Sequence, residues 1–328
     1  MHSFARRLVA ATAVLAVPFA LTQPAVAQAL ELRLGTGTPP SHVWTRAAER
    51  FAQNIATATD GEITITVFPA AQLGPESDQL QQMQAGVLDM GIISAAAVSS
   101  RAPAFLAWFS PFAIDDVAGT VEAAQSDTAA AVLGELQPLG LRGLGYVFAG
   151  MRHILLADGT VESLADLEGK KIRITPFPGM QTWWAAAGAV PTPVQLGDVY
   201  QSLSSGLIDG VDIDLDALVG FSMQQVADTL VVTNHMAFPG VALITESAFG
   251  RMSEEQQATF MEVMAETLGW AADLQIETDA SHLKMLEGEM NVIRLENAEG
   301  LFSDANAAFA EAFSDIPLVV QFGEELGR

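Results

Sequence analysis

The chain has no cysteine. Disulfides, zinc–thiolate sites, iron–sulfur clusters and thiol nucleophiles are therefore excluded, although this absence does not identify a compartment. Cations are scarce as well: 15 Lys and Arg stand against 39 Asp and Glu, a formal net charge of −24 over 328 residues. So acidic a surface repels nucleic acid and anionic lipid, and neither is expected as a partner. It also means that any anion site must act through close contacts rather than long-range attraction. Five histidines are few for a metal centre. No Gly-x-Ser-x-Gly, His-Glu-x-x-His or phosphate-cradling glycine loop occurs, so no catalytic arrangement stands out. Gly35-Thr36-Gly37 lacks the third glycine and meets Pro39-Pro40 where a helix should open.

Long apolar runs that could cross a bilayer are missing beyond the N-terminus; residues 105–114 are broken by Pro111 and followed by Asp115-Asp116. At the N-terminus, Arg6-Arg7 precede the apolar run 8–21, and two small-x-small sites follow, Ala25-Val26-Ala27 and Ala27-Gln28-Ala29. This order reads as a cleavable secretory signal over residues 1–29. The run is shorter than the roughly 20 residues a spanning helix needs; an uncleaved membrane anchor is the alternative. A periplasmic location is expected, and with no lipobox cysteine the protein is not a lipoprotein.

Half of the residues are hydrophobic, enough for a folded protein, and the length suits two lobes with separate cores. Alternation of strand and helix signals predicts an α/β fold. Strands are predicted at 30–35, 62–68 and 88–93, with helices at 43–57 and 77–85 between them. A loose apolar stretch at 95–111 precedes a helix at 118–136 and a strand at 141–148. A second α/β run follows: strands at 153–156, 171–174, 192–195 and 208–212, a short helical turn opening at 163–166, and helices at 180–187 and 198–204. After strands at 229–233 and 241–245, Ser253 reads as the N-cap of a helix reaching about residue 290, with Glu254 and Glu255 in its first turn. Such a length suggests an element running along both lobes. The lobes are expected to interleave, as residues 30–150 with about 239–278, and 151–238 with about 279–328.

One stretch carries the chemistry. Gly169-Lys170-Lys171-Ile172-Arg173-Ile174 opens a βαβ unit that passes Gly188-Ala189-Val190-Pro191-Thr192-Pro193 and Asp198-Val199-Tyr200 and ends in Gly206-Leu207-Ile208-Asp209-Gly210-Val211-Asp212. An arginine inside such a unit needs an anionic partner: either a structural salt bridge with one of the many acids, or a ligand carboxylate, whose two oxygens match the guanidinium edge.

These motifs resemble the solute-binding proteins of TRAP transporters, the DctP-type family. The resemblance extends over about residues 30–320. It also rests on Gln72-Leu73-Gly74, on Leu80-Gln81-Gln82-Met83-Gln84-Ala85-Gly86-Val87-Leu88-Asp89-Met90, on Gly150-Met151-Arg152-His153 and on Thr233-Asn234-His235. It implies a two-lobed periplasmic binding protein, type II-like, each lobe a βαβ-based mixed sheet flanked by helices. Such a receptor closes on a small carboxylate and presents it to membrane permease subunits. Arg173 matches the family's carboxylate-pairing arginine, and Arg152 a second arginine at the start of the second lobe. This chain departs from the resemblance in places. Asp212-Ile213 stands where the family often has Glu and a polar or aromatic residue, and Ser94 and Leu196 stand where the sialic-acid branch has a glutamate and a phenylalanine. A sialic-acid pocket is therefore not expected.

The remaining candidates have alternative readings. Asp212 sits at a strand's C-terminal end, where ligands bind in α/β sheets, and could accept from ligand hydroxyls; Asp214 or Asp216 could instead cap the next helix. A metal on these acids is not expected, since no Asp-x-Asp-x-Asp-Gly loop is present. His42 and Trp44 follow the first strand and border a cleft or pack in the core. Phe177, with Trp183 and Trp184, supplies an aromatic wall or packing, and the two adjacent tryptophans cannot share one helix face. His235 is a hinge, a cleft residue or a structural histidine. The expected function is a receptor for a small organic acid, with a hydroxylated monocarboxylate such as a sugar acid favoured; a 2-oxo acid or C4-dicarboxylate remains open. No enzymatic activity and no cofactor are expected, and the receptor is expected to be a monomer. The rivals are a secreted α/β enzyme using Asp212 as acid or base, and a receptor feeding a sensor kinase.

Overall fold

Two mixed sheets hold the eleven strands found among residues 29–327, the residues that the computed structural model describes. The expected signal segment falls outside them except for Ala29. In chain order the strands are β1 (Leu30–Thr36), β2 (Ile63–Phe68), β3 (Met90–Ser94), β4 (Leu141–Met151), β5 (His153–Leu156), β6 (Lys171–Ile174), β7 (Val190–Pro193), β8 (Gly210–Ile213), β9 (Thr229–Val232), β10 (Ala237–Thr245) and β11 (Asn291–Arg294). The first sheet has the order β2-β1-β3-β10-β4 and the second β11-β9-β5-β8-β6-β7. In the first, β1 is parallel to β2 and β3, and β10 runs antiparallel between β3 and β4. In the second, β6 is parallel to β7 and β8, and β5 runs antiparallel between β8 and β9. This is the two-lobed α/β architecture that the strand–helix alternation predicts.

Both sheets use one local device to turn from a helix into the strand of a βαβ unit. Residues 85–89 read Ala-Gly-Val-Leu-Asp and residues 205–209 Ser-Gly-Leu-Ile-Asp. Gly86 (φ 71°) and Gly206 (φ 70°) take the left-handed conformation that ends a helix. The next apolar residue stays exposed, and the one after it, Leu88 or Ile208, is fully buried. The aspartate then accepts the backbone N–H of the neighbouring parallel strand: Arg33 N to Asp89 at 2.9 Å, and Lys171 N to Asp209 at 2.8 Å.

The chain passes between sheets at Arg152, between β4 and β5, and again at residues 233–236, between β9 and β10. These crossings bind each other: Arg152 N donates to Met236 O at 2.8 Å and His235 N to Arg152 O at 3.3 Å. A third link is the helix Glu254–Glu289, whose 36 residues follow Ser253 as N-cap in a capping box with Gln256. At about 1.5 Å per residue it is long enough to touch both sheets. It packs on helix Val43–Ala58 and β4 from one side of the molecule, and on helix Leu215–Gly220 and β11 from the other. Among the described residues no helix is long and apolar enough to cross a membrane.

Three local expectations change. The helix expected at 118–136 is two helices, Val117–Ala123 and Asp127–Gly134. The chain turns at Ser126, whose hydroxyl accepts from Ala129 N at 3.0 Å and starts the second helix. The loose stretch 95–111 contains helix Ala95–Ser99 and a 3-10 segment Pro103–Phe109, with Phe105, Trp108 and Phe109 buried. Its uniform apolarity reflects burial on every side, which leaves no periodicity to read. The strand expected at 192–195 lies at Val190–Pro193, an edge position that tolerates its two prolines.

The C-terminal helices contact both halves. Ser303–Ala312 packs on helix Pro178–Ala186, where Trp183 Nε1 donates to Asn306 Oδ1 at 2.9 Å. Pro317–Glu325 packs on Pro103–Phe109, with Phe322 against Trp108 at 4.9 Å.

Candidate functional site

A cavity of about 460 Å³ opens at the carboxyl ends of β1, β3, β6 and β8, between the two sheets. Its size falls in the usual range for small-molecule sites, about 300–1,000 Å³. Thr38 follows β1, Ser94 ends β3, Arg173 and Thr175 come from the end of β6, and Ile213 and Asp214 from the end of β8. This is the edge at which α/β sheets bind ligands.

Arg173 is 2% exposed, yet among the described residues no carboxylate lies within ion-pair distance of it. Its Nε donates to Val194 O at 2.9 Å and its Nη1 makes a long contact of 3.5 Å to Asp212 O. Backbone oxygens thus position the guanidinium without neutralising it. Burial, and then the like charge of Arg152, pull its pKa down to about 9.

Arg152 is paired on every nitrogen. Nε donates to Asp212 Oδ1 at 2.5 Å, Nη1 to Asp214 Oδ2 at 2.9 Å, and Nη2 to the Asp212 carbonyl. The ring of Phe238 covers the guanidinium at 4.3 Å. Arg152 therefore lines the cavity with its charge already matched.

Asp212 is fully buried. Its second oxygen accepts from Trp184 Nε1 at 2.7 Å and bonds His235 Nε2 at 2.9 Å. Burial alone would raise its pKa; the charges of Arg152 and His235 and these hydrogen bonds outweigh it and hold the carboxyl far below the usual range. Asp212 was expected to read ligand hydroxyls. Its carboxylate is consumed beneath Arg152 and is not part of the cavity wall. His235, bonded on its other nitrogen to Thr233 Oγ1 at 2.7 Å and stacked on Trp183, belongs to the same buried network.

Asp214 caps helix Leu215–Gly220, accepting from Ala217 N at 2.8 Å, and Asp216 accepts from Val43 N at 2.8 Å, tying that helix to the start of Val43–Ala58. Burial opposes the ionised Asp214, but His42 and Arg152 outweigh it and its pKa falls. His42 lines the cavity, accepts Trp44 N on Nδ1 at 3.1 Å, and lies 3.6 and 3.8 Å from Asp216 and Asp214. Burial disfavours its charge, the two aspartates favour it, and the net shift is upward.

Of the other expected residues, Ser94, Leu196, Ile213 and Trp44 line the cavity. Phe177 does not: its ring packs at 4.4 Å against Phe109 in the core. Trp183 and Trp184 are both buried, with rings perpendicular. The cavity thus gathers Arg173, Arg152, Ile213, Ser94, Leu196, Trp44 and His42, and leaves out Asp212, Phe177 and His235.

Sequence reasoning missed Glu76, Thr38, Thr175 and Gln195 on the wall. Glu76 is the notable omission. Its carboxylate accepts from Ser94 N at 2.7 Å and from Ser94 Oγ at 2.6 Å. Burial raises its pKa, against the Ser94 hydrogen bonds and the charge of Arg173. An acid in the first turn of a helix, here Glu76–Gln84, reads from sequence as a partner of the helix dipole. Only its approach to the end of β3 sets it apart.

The model of the bacterial extracellular solute-binding proteins, family 7, matches residues 34–314. A solute-binding protein of Roseobacter denitrificans is 28% identical over 311 residues, 94% of this chain and 95% of that one. A TRAP periplasmic solute-binding protein from the same species, solved with bound L-galactonate, superposes with a TM-score of 0.84 at 26% identity, covering 92% of this chain and 99% of the other. Another from Xanthobacter autotrophicus, solved with β-D-galacturonate, gives 0.85 at 25% identity over 90% and 98%. The match spans both sheets and the cavity between them, and this chain belongs to family 7 of the bacterial extracellular solute-binding proteins.

Proposed function

We propose that the protein is the periplasmic receptor of a TRAP-type transporter and captures a sugar-acid monocarboxylate. The observation that carries this reading is Arg173, a buried guanidinium held by backbone oxygens with no carboxylate at ion-pair distance among the described residues. A ligand carboxylate completes it with two parallel hydrogen bonds in a site largely shut off from water. The relatives solved with galactonate and galacturonate support the ligand class.

The two sheets are the bodies that move. The ligand touches both walls only when they approach, so its differential affinity shifts the population towards the closed form. Permease subunits then receive that form. The protein binds without turnover: the enzyme reading relied on Asp212 as acid or base, and that carboxylate is spent on Arg152, Trp184 and His235.

Isothermal titration of the mature protein with galactonate, gluconate, galacturonate and glucuronate tests the reading. Stoichiometric binding of at least one, abolished or strongly weakened in Arg173→Ala, is expected, with the ligand recovered unchanged. Failure of all four to bind would overturn it.

A further inference from the structure

We propose that Glu76 makes this cavity selective for monocarboxylates by rejecting a ligand that carries a second carboxylate. The inference rests on the sugar-acid reading above and narrows it to one class.

The charges of the cavity are unequal in how they are matched. On the second-sheet wall, Arg152 is met by Asp212 and Asp214, whereas Arg173 has no carboxylate at ion-pair distance among the described residues. On the first-sheet wall, Glu76 is held by two hydrogen bonds from Ser94, and among the described residues no cation lies within ion-pair distance of it. Its interaction with Arg173 acts through space rather than by contact. One guanidinium without a carboxylate at contact and one carboxyl group without a cation at contact, among the described residues, therefore face the same cavity from different sheets.

A carboxylate oxygen pair offers about four acceptor positions, and Ser94 fills two. The remainder can take ligand hydroxyl donors. A hydroxylated monocarboxylate satisfies both walls, its carboxylate on Arg173 and its hydroxyls on Glu76. A dicarboxylate of the same chain length brings its second anion against Glu76 with no cation to share. Two carboxylates in one low-dielectric site repel, or one must take up a proton. Neither cost falls on the monoacid.

The test is paired titration at pH 7.5 of galactonate with galactarate and of gluconate with glucarate, ligands differing only in oxidation at C6. In the wild-type protein each monoacid is expected to bind roughly 10- to 100-fold more tightly than its diacid, the size of a like-charge contact several ångströms long in a partly shielded site. Glu76→Gln removes the charge and keeps the shape. It is expected to narrow the ratio by about tenfold or more, chiefly through gained affinity for the diacid. A thermal melt of the variant checks that it folds, and Glu76→Asp, which keeps the charge, should keep the discrimination. Equal binding of monoacid and diacid by the wild type would overturn the proposal while leaving the sugar-acid reading intact, as would an unchanged ratio in Glu76→Gln. Binding of none of these acids would remove the sugar-acid reading and this proposal with it.

Discussion

Arg152 and Asp212 are joined twice, side chain to side chain at 2.5 Å and guanidinium to backbone carbonyl. That double attachment, with Asp214 on the third nitrogen, separates two arginines that look equivalent in the sequence. One is a fixed part of the crossing between the sheets; the other is available.

The two arginines should therefore respond oppositely to truncation. Arg152→Ala leaves Asp212 buried without its main cation and should destabilise the unliganded protein by about 3–5 kcal/mol. Arg173→Ala removes an unmatched buried charge and should leave the unliganded melting temperature unchanged or raised, while weakening ligand binding by about 2–5 kcal/mol. Melting curves with and without ligand read both effects. A large loss of unliganded stability in Arg173→Ala would contradict this division.

Ligand affinity should depend on pH at the alkaline end. The unliganded Arg173 has its pKa pulled down to about 9, and a bound carboxylate favours the charged form. Binding is thus strongest while the free protein keeps the guanidinium charged, and is lost as pH rises through about 9. Titration from pH 6 to 10 should give a flat region up to about 8 followed by a decline that Arg173→Ala lacks.

Asp279 should make stability fall with rising pH. Burial, with the nearby charges of Asp214, Asp216 and Asp116, raises its pKa from 3.8 to about 7. Between those values the folded protein holds a proton that the unfolded chain has released, so stability declines across the window and stays reduced above it. Next to it, one helical turn away, Gln275 is fully buried, and both of its amide atoms lack a partner among the described residues. Asp279→Asn, neutral throughout, should melt higher than wild type at pH 8, with the gap closing as pH approaches 4.

Gly240 should not accept a side chain. A Cβ there would lie 2.8–3.0 Å from three atoms of the Trp44 ring. Gly240→Ala must displace a rigid indole that lines the cavity, which should cost about 1–3 kcal/mol of stability. Ligand affinity should fall with it, whereas alanine at exposed Gly134, with no atom within 4 Å of its Cβ, should not affect affinity.

The regular elements were legible because their signals are local. Ser253 as the N-cap of the long helix and the alternation of β1 and β2 each lie within a few residues of the structure they cause. Legibility failed where burial erased periodicity, as in Pro103–Phe109, or where one hydroxyl broke a helix, as at Ser126. In the site, the positions of Arg173 and Ser94 at strand ends were readable. Glu76 was hidden because a first-turn acid has an ordinary local explanation.

By itself the sequence established the α/β class, the succession of strands and helices, and the placing of an arginine at the mouth of a βαβ unit. Periodicity, caps and turn residues act over one or two turns of chain, and they suffice for that. It could not say which charges are matched. Arg152 and Asp212 are 60 positions apart, and Glu76 and Ser94 are 18 apart. Whether a buried charge is satisfied or waiting for a ligand depends on distances of a few ångströms between groups brought together by folding. On that basis Asp212 became a support, Glu76 a wall residue, and Arg173 the buried guanidinium with no carboxylate at ion-pair distance among the described residues.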